Sequence, residues 1–149
     1  MLAQGNEPLS DLEMLRSMLL KFLEQPLHNI AGLKMEMIPE STGIYAIYEN
    51  SKGDVQPRII YIGIVTEISA RPRVSTGLRF RICEKHCGTR GEDDFRSGLK
   101  ELRRLDSFED TQEYLRSNCS CRWLEEDDPG LLRRLEHFAI ALLNPPFNA

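Results

Sequence analysis

The sequence predicts a small α+β domain built on a short, mainly antiparallel sheet. Three observations lead there. Two Ile- and Tyr-rich stretches, 43–49 and 58–64, flank a segment full of turn residues. Several other stretches carry apolar residues at helical spacing or open on a helix cap. The 149 residues leave room for one ordinary core and little more.

Taken in order, residues 1–9 read as a loose end. Ser10 and Glu13 form a capping-box signature, and Leu12, Leu15, Leu19, Phe22 and Leu23 then recur at helical spacing until Pro26 stops the pattern. Met14 and Met18 on that helix read as core filler. Between the two strands, Asn50, Gly53, Asp54 and Pro57 suit a loop joining antiparallel neighbours. Residues 78–87 read as a short helix. Residues 93–105 read as another, with Phe95, Leu99 and Leu102 inward and Arg96, Lys100 and Arg103 along a second stripe. Ser107 is placed to cap a helix through about Arg116, and residues 119–124 supply a third strand. Asp128 followed by Pro129 starts a last helix that runs to about Leu143, where Asn144-Pro145-Pro146 ends it.

Hydrophobic residues make up 41% of the chain and charged residues 28%, which fits a folded globular protein and excludes wholesale disorder. No apolar run approaches bilayer length, and no basic-then-apolar leader opens the chain, so the cytoplasm is the expected location. The net charge is −4, yet residues 71–104 hold ten Lys/Arg against five Asp/Glu. That third of the chain is thus +5 and the remainder −9. A local basic patch can bind phosphate whatever the overall charge, although a solvated face of mixed charge has the same composition. Cys83, Cys87, Cys119 and Cys121 leave two readings open: zinc ligands at spacings unlike the common fingers, or small buried residues.

Alternation along the strands puts Tyr45 with Ile47 on one face of the first, and Tyr61 with Ile59 and Gly63 on one face of the second. If the strands pair, the two tyrosines can share a face. Glu136 stands in an apolar stripe of the last helix, with Leu132, Ala139 and Leu143. A carboxylate there needs a cation, a hydrogen-bond network or a proton, and a metal and a core arginine fit equally well.

These residues together resemble the GIY-YIG nuclease family. Gly43-Ile44-Tyr45 and Tyr61-Ile62-Gly63 are similar to its two naming motifs, in order, on adjacent strands. Leu78-Arg79-Phe80-Arg81-Ile82 resembles its arginine helix, and Glu136 and Asn148 resemble its C-terminal glutamate and asparagine. The resemblance spans about residues 42–149 and leaves 1–41 as an N-terminal helical extension. It implies a three-stranded antiparallel sheet flanked by helices, a single Mg2+ (or Mn2+) and hydrolysis of DNA. It further implies that Tyr61 helps deprotonate the attacking water with Tyr45 beside it. Arg81 would contact the scissile phosphate, Glu136 hold the metal and Asn148 support the site. Such roles suit the chemistry. Phosphodiester hydrolysis needs an activated water and relief of growing negative charge, and arginine grips two phosphate oxygens at once.

The match has departures. Many relatives carry His or Tyr four residues after the arginine, where this chain has Lys85, with His86 one later. Either the helix bulges, or Lys85 takes the role, or the role is missing. The stretch from Tyr61 to Arg81 is longer than in many relatives, so Arg71 and Arg79 compete for the phosphate, with Arg71 a candidate second contact. The full expected DNA-binding set is Arg71, Arg79, Lys85, Arg96, Lys100 and Arg103. Because the sequence stops one residue after Asn148, targeting is expected from the N-terminal helix, the basic segment, a homodimer or a partner protein. The rival expectations are a non-catalytic binding module on the same scaffold and a small zinc module built on the cysteines.

Overall fold

The computed structural model describes residues 2–53, 55–69, 75–86 and 93–148, with backbone alone at 2–9, 84 and 85. In chain order the elements are α1 (Leu2–Leu23), β1 (His28–Asn29), β2 (Gly43–Glu49), β3 (Arg58–Val65) and α2 (Gly77–Arg79). A π-helical segment (Phe80–His86) continues directly from α2. Then come α3 (Asp94–Leu102), α4 (Phe108–Asn118), β4 (Cys119–Glu125) and α5 (Pro129–Leu143).

The fold is α+β, and its sheet runs β1-β4-β2-β3 with every neighbouring pair antiparallel. The expected count of three strands is corrected to four, because His28 and Asn29 pair with Cys121 and Ser120 at the outer edge of β4. A polar dipeptide is too short to leave a period-two pattern. What secures it is side-chain bonding: the Ser120 hydroxyl, with one proton to give, stands 2.9 Å from Asn29 Oδ1 and 2.6 Å from Asn50 Oδ1.

β2 lies in the middle, with Tyr45 opposite Gly63 on one side and Trp123 on the other. All its residues from Gly43 to Tyr48 are buried, since both faces are covered. One face packs Tyr45 and Ile47 with Leu78, Ile82, Phe95, Leu99 and Leu115. The opposite face packs Ile44, Ala46 and Ile62 with Phe22, Leu132, Leu135 and Ala139. Strict alternation fails once, in β3. Ile47 faces Tyr61 but Tyr48 faces Ile59, so Ile60 is an extra residue. Ile60 therefore joins Tyr61's core, and Ile59, expected there, moves to the other face.

The helices differ from expectation mainly at their ends. α1 begins at Leu2, ahead of Ser10, and runs through Gly5 and Pro8, so Ser10 lies inside the helix and is not its cap. Its Leu15, Met18, Leu19, Phe22 and Leu23 pack on the second core, while Leu12 and Met14 remain exposed. Arg122 Nη1 donates to the carbonyl of Leu23 and ties the helix to β4, so the N-terminal extension shares the core of the rest. Leu102, expected inward, is 55% exposed. It is the last residue of α3, and the chain turns away at Arg104 with φ 54°. Ser107 and Asp128 cap α4 and α5 as anticipated, and Asn144 ends α5 in the left-handed region. Among the described residues no helix is long and apolar enough to cross a membrane.

Gly43 marks the closest approach of β2 to its surroundings. A Cβ there would stand 2.3 Å from the carbonyl oxygen of Leu124 and 2.8 Å from Leu78 Cδ1. The first is backbone inside a strand and cannot yield cheaply. Gly43→Ala should therefore cost about 1–3 kcal/mol or more in urea unfolding. An unchanged midpoint would show that the sheet relaxes around the methyl group.

Candidate active site

The first core surrounds a cluster of polar groups. Tyr45 is fully buried, and Gly63 is the socket for its ring. A Cβ at Gly63 would lie 2.4 Å from the Tyr45 hydroxyl oxygen. The glycine of the second tripeptide is thus required by the tyrosine of the first. Tyr61 is half-buried beside it, the two ring centroids 6.2 Å apart, and its ring leans on Phe95 at 4.9 Å. Burial raises the pKa of Tyr45 well above the usual phenol range, Tyr61 adds to the rise, and Arg81 opposes it. Burial also raises Tyr61. A hydrogen bond with Tyr45 and the charge of Arg81 oppose that rise, while Asp93 and Glu136 add to it. Both phenols are protonated at neutral pH.

The segment after Arg81 is wound as a π-helix, whose hydrogen bonds span five residues where an α-helix spans four. The bulge reading of the departure at Lys85 is the one the structure adopts, and the wider turn carries His86 onto the tyrosines. His86 is 2% exposed, its Nε2 lies 2.5 Å from the Tyr45 hydroxyl, and its Nδ1 lies 3.0 Å from Asp93 Oδ2. Its ring also meets Tyr61 and Phe95 edge-on, at 5.4 and 5.5 Å. Asp93 Oδ1 accepts the backbone N–H of Arg96 at 2.8 Å and caps α3. Burial works to raise the Asp93 pKa, but the hydrogen bond and charge of His86, with the Arg96 N–H, outweigh it and hold the carboxyl below its ordinary value. Asp93 escaped the sequence reading because an aspartate ahead of a helix is explained by capping alone.

Arg81, Glu136 and Asn148 complete the cluster from other directions. Arg81 borders a cavity of about 380 Å³ together with the 64–69 segment that leaves β3. Glu136 is half-buried on α5, between the buried Leu132, Leu135 and Ala139, and no described residue hydrogen-bonds or ion-pairs with it. Among the described residues no arginine forms a close ion pair with it. Burial raises the Glu136 pKa, against the opposing charges of His137 and Arg81. Asn148 pairs with the backbone of Ile62, accepting its N–H at 2.8 Å and donating to its carbonyl at 2.7 Å. It thereby holds the C-terminal segment on the outer edge of β3, one residue from Tyr61.

The expected auxiliary cations are not gathered into one row. Arg79 is turned away, donating to the Ile38 carbonyl at 2.9 Å and to Glu40 at 3.0 Å. Arg96 is 1% exposed and lies over the Phe108 ring, with Lys100 against the same ring at 5.0 Å. Arg103 grips both oxygens of Glu49, at 2.9 and 2.6 Å, and Tyr114 joins them. Of the Arg96–Lys100–Arg103 stripe, Arg96 is buried while Lys100 and Arg103 are partly exposed. Arg71 and the side chain of Lys85 lie outside the described residues, as does Cys87. Burial pushes the thiols of Cys119 and Cys121 up to about 12, and Cys83 packs on the same core. Among the described residues no three His, Cys, Asp or Glu side chains are grouped to hold a metal. No protein-family model matches the chain, and no curated protein matches it either.

The raised pKa of Glu136 has a definite consequence for stability. The ionised form is disfavoured in the folded state, so the group costs nothing below its unfolded pKa of about 4.3 and weakens the fold as pH rises through the folded value. In chelator at pH 7, Glu136→Gln should melt at or above the wild type, and the gap should close as the pH is lowered towards 4. A variant melting well below the wild type at pH 7 would reveal a structural partner.

Proposed function

We propose that the protein is a divalent-metal-dependent DNA endonuclease of the GIY-YIG kind, hydrolysing phosphodiester bonds with Mg2+ or Mn2+. The observation that carries the reading is convergence. Tyr45, Tyr61, Arg81 and Glu136 come from four separate elements, and Arg81 lies close enough for its charge to act on each of the other three. One of them is a carboxylate with no protein partner among the described residues.

Magnesium takes only one or two carboxylates and completes its shell with water and phosphate oxygens, so a lone half-buried glutamate fits such an ion. Bound there, the ion would neutralise charge growing on the phosphate and lower the pKa of nearby water. Glu136 is the residue that would hold it. Arg81, at the rim of the cavity, is placed to grip two phosphate oxygens with its planar fork. Tyr61, partly open, is the phenol that can orient the attacking water. Tyr45 has no exposed surface and acts only through Tyr61. Asn148 keeps the Tyr61–Gly63 backbone in place through Ile62.

The test is incubation with supercoiled, single-stranded and branched DNA, with and without Mg2+ or Mn2+. Tyr61→Phe and Arg81→Lys should each lower cleavage by roughly 10²–10⁴-fold while the proteins fold normally. Arg79→Lys should cut like the wild type. Wild-type cleavage by Tyr61→Phe would remove that hydroxyl from the reaction. No metal-dependent cleavage of any of the three DNAs by the wild type would leave the scaffold as a binding module.

A further inference from the structure

We infer that Asp93 is a positioning residue of this site, holding His86 in the tautomer whose Nε2 accepts the Tyr45 proton, so that Tyr61, Tyr45 and His86 form a path for the proton of the attacking water. The chemical consequence rests on the nuclease reading; the tautomer does not.

The tautomer follows from donor and acceptor inventory. An ionised carboxylate only accepts, so the 3.0 Å contact between Asp93 Oδ2 and His86 requires a proton on Nδ1. With His86 neutral, the state the path requires, Nε2 is bare and the Tyr45 hydroxyl 2.5 Å away is the donor that meets it. At 2% exposure the imidazole is shut off from bulk solvent. The carboxylate is itself anchored, because its other oxygen caps α3 through Arg96 N. One side chain thus fixes both the start of a helix and the orientation of a ring, which is the rigid support that proton transfer needs.

The path answers a chemical difficulty. Two protonated phenols offer no base for water. With His86 behind them, water loses a proton to Tyr61 as its oxygen bonds to phosphorus. Tyr61 passes its own proton to Tyr45, and Tyr45 passes its own to Nε2. The bond from phosphorus to the leaving oxygen breaks, and that oxygen takes a proton from solvent. His86 is left as an imidazolium against Asp93, and it discharges along the same path to solvent after product leaves.

Asp93→Asn tests this, because asparagine caps a helix as well as aspartate and keeps its shape. The first readout is the pair of 15N ring shifts of His86 in protein free of DNA and metal, assigned by comparison with His86→Gln. The wild type should show a proton on Nδ1 and a bare Nε2, and Asp93→Asn should lose that preference. The second is single-turnover cleavage in Mg2+, expected to fall roughly 10²–10⁴-fold with unchanged DNA affinity. Asp93→Ser, which also caps but cannot reach the ring, should behave alike and serves if the asparagine variant misfolds. A wild-type His86 protonated on Nε2, or variant spectra identical to wild type, overturns the inference, as does wild-type cleavage by both variants. If the wild type cuts no DNA, the nuclease reading falls and the ring shifts alone decide the tautomer.

Discussion

The seating of Tyr45 against Gly63 is the constraint on which the rest of this structure depends. A full tyrosine ring enters the core only because the residue opposite it has no side chain. That pairing sets the register of β2 against β3, and a slip of one residue would turn every side chain to the wrong face. The same ring brings a hydroxyl into the interior, where leaving it unpaired is costly. His86 supplies the partner, and reaching it demands a wider helical turn. The register of the sheet, the winding of the π-helix and the capping of α3 are therefore solutions to one problem: a buried phenol needs both space and a bond.

Two carboxylates near the tyrosines have opposite fates. Asp93 is bonded through both oxygens and held ionised, whereas Glu136 is half-buried, has no hydrogen-bond or ion-pair partner among the described residues and is pushed towards its neutral form. Groups of the same kind driven apart by their surroundings are a common mark of divided labour in a site. Here the division is spatial as well, since Asp93 stands behind His86 and Glu136 projects from α5, which packs against β3.

Much of the fold was legible in the residues, because its signals are local. Asp128-Pro129 and Asn144 bound α5 through capping and backbone geometry that a short window contains. The Ile/Tyr runs of β2 and β3 read as strands for the same reason. β1 was invisible because its two residues, His28 and Asn29, owe their extended form to bonds with Ser120 and Cys121. The site divides along the same line. Tyr45, Tyr61, Arg81 and Glu136 stand out by motif or by an ill-fitting charge. Asp93 does not, since its contact with His86 crosses between elements and its local role hides the other. The internal contacts of Arg96 and Arg103 were hidden because helical spacing reveals a stripe but not which neighbour lies against it. Glu49 and Phe108, their partners, lie in other elements.

The double burial of β2 bears on how the chain reaches this state. Gly43 to Glu49 must pair with Glu125 to Cys119, which are made much later in the sequence, and must be covered by helices from both ends of the chain. Contacts so distant along the chain close slowly, because loop entropy is lost before packing returns it. Until then Gly-Ile-Tyr-Ala-Ile-Tyr is an open apolar strand with no charge of its own, the composition that seeds intermolecular sheets. Glu49 follows directly and acts as a gatekeeper. The strand that makes the site possible is also the one the unfinished chain is least able to hide.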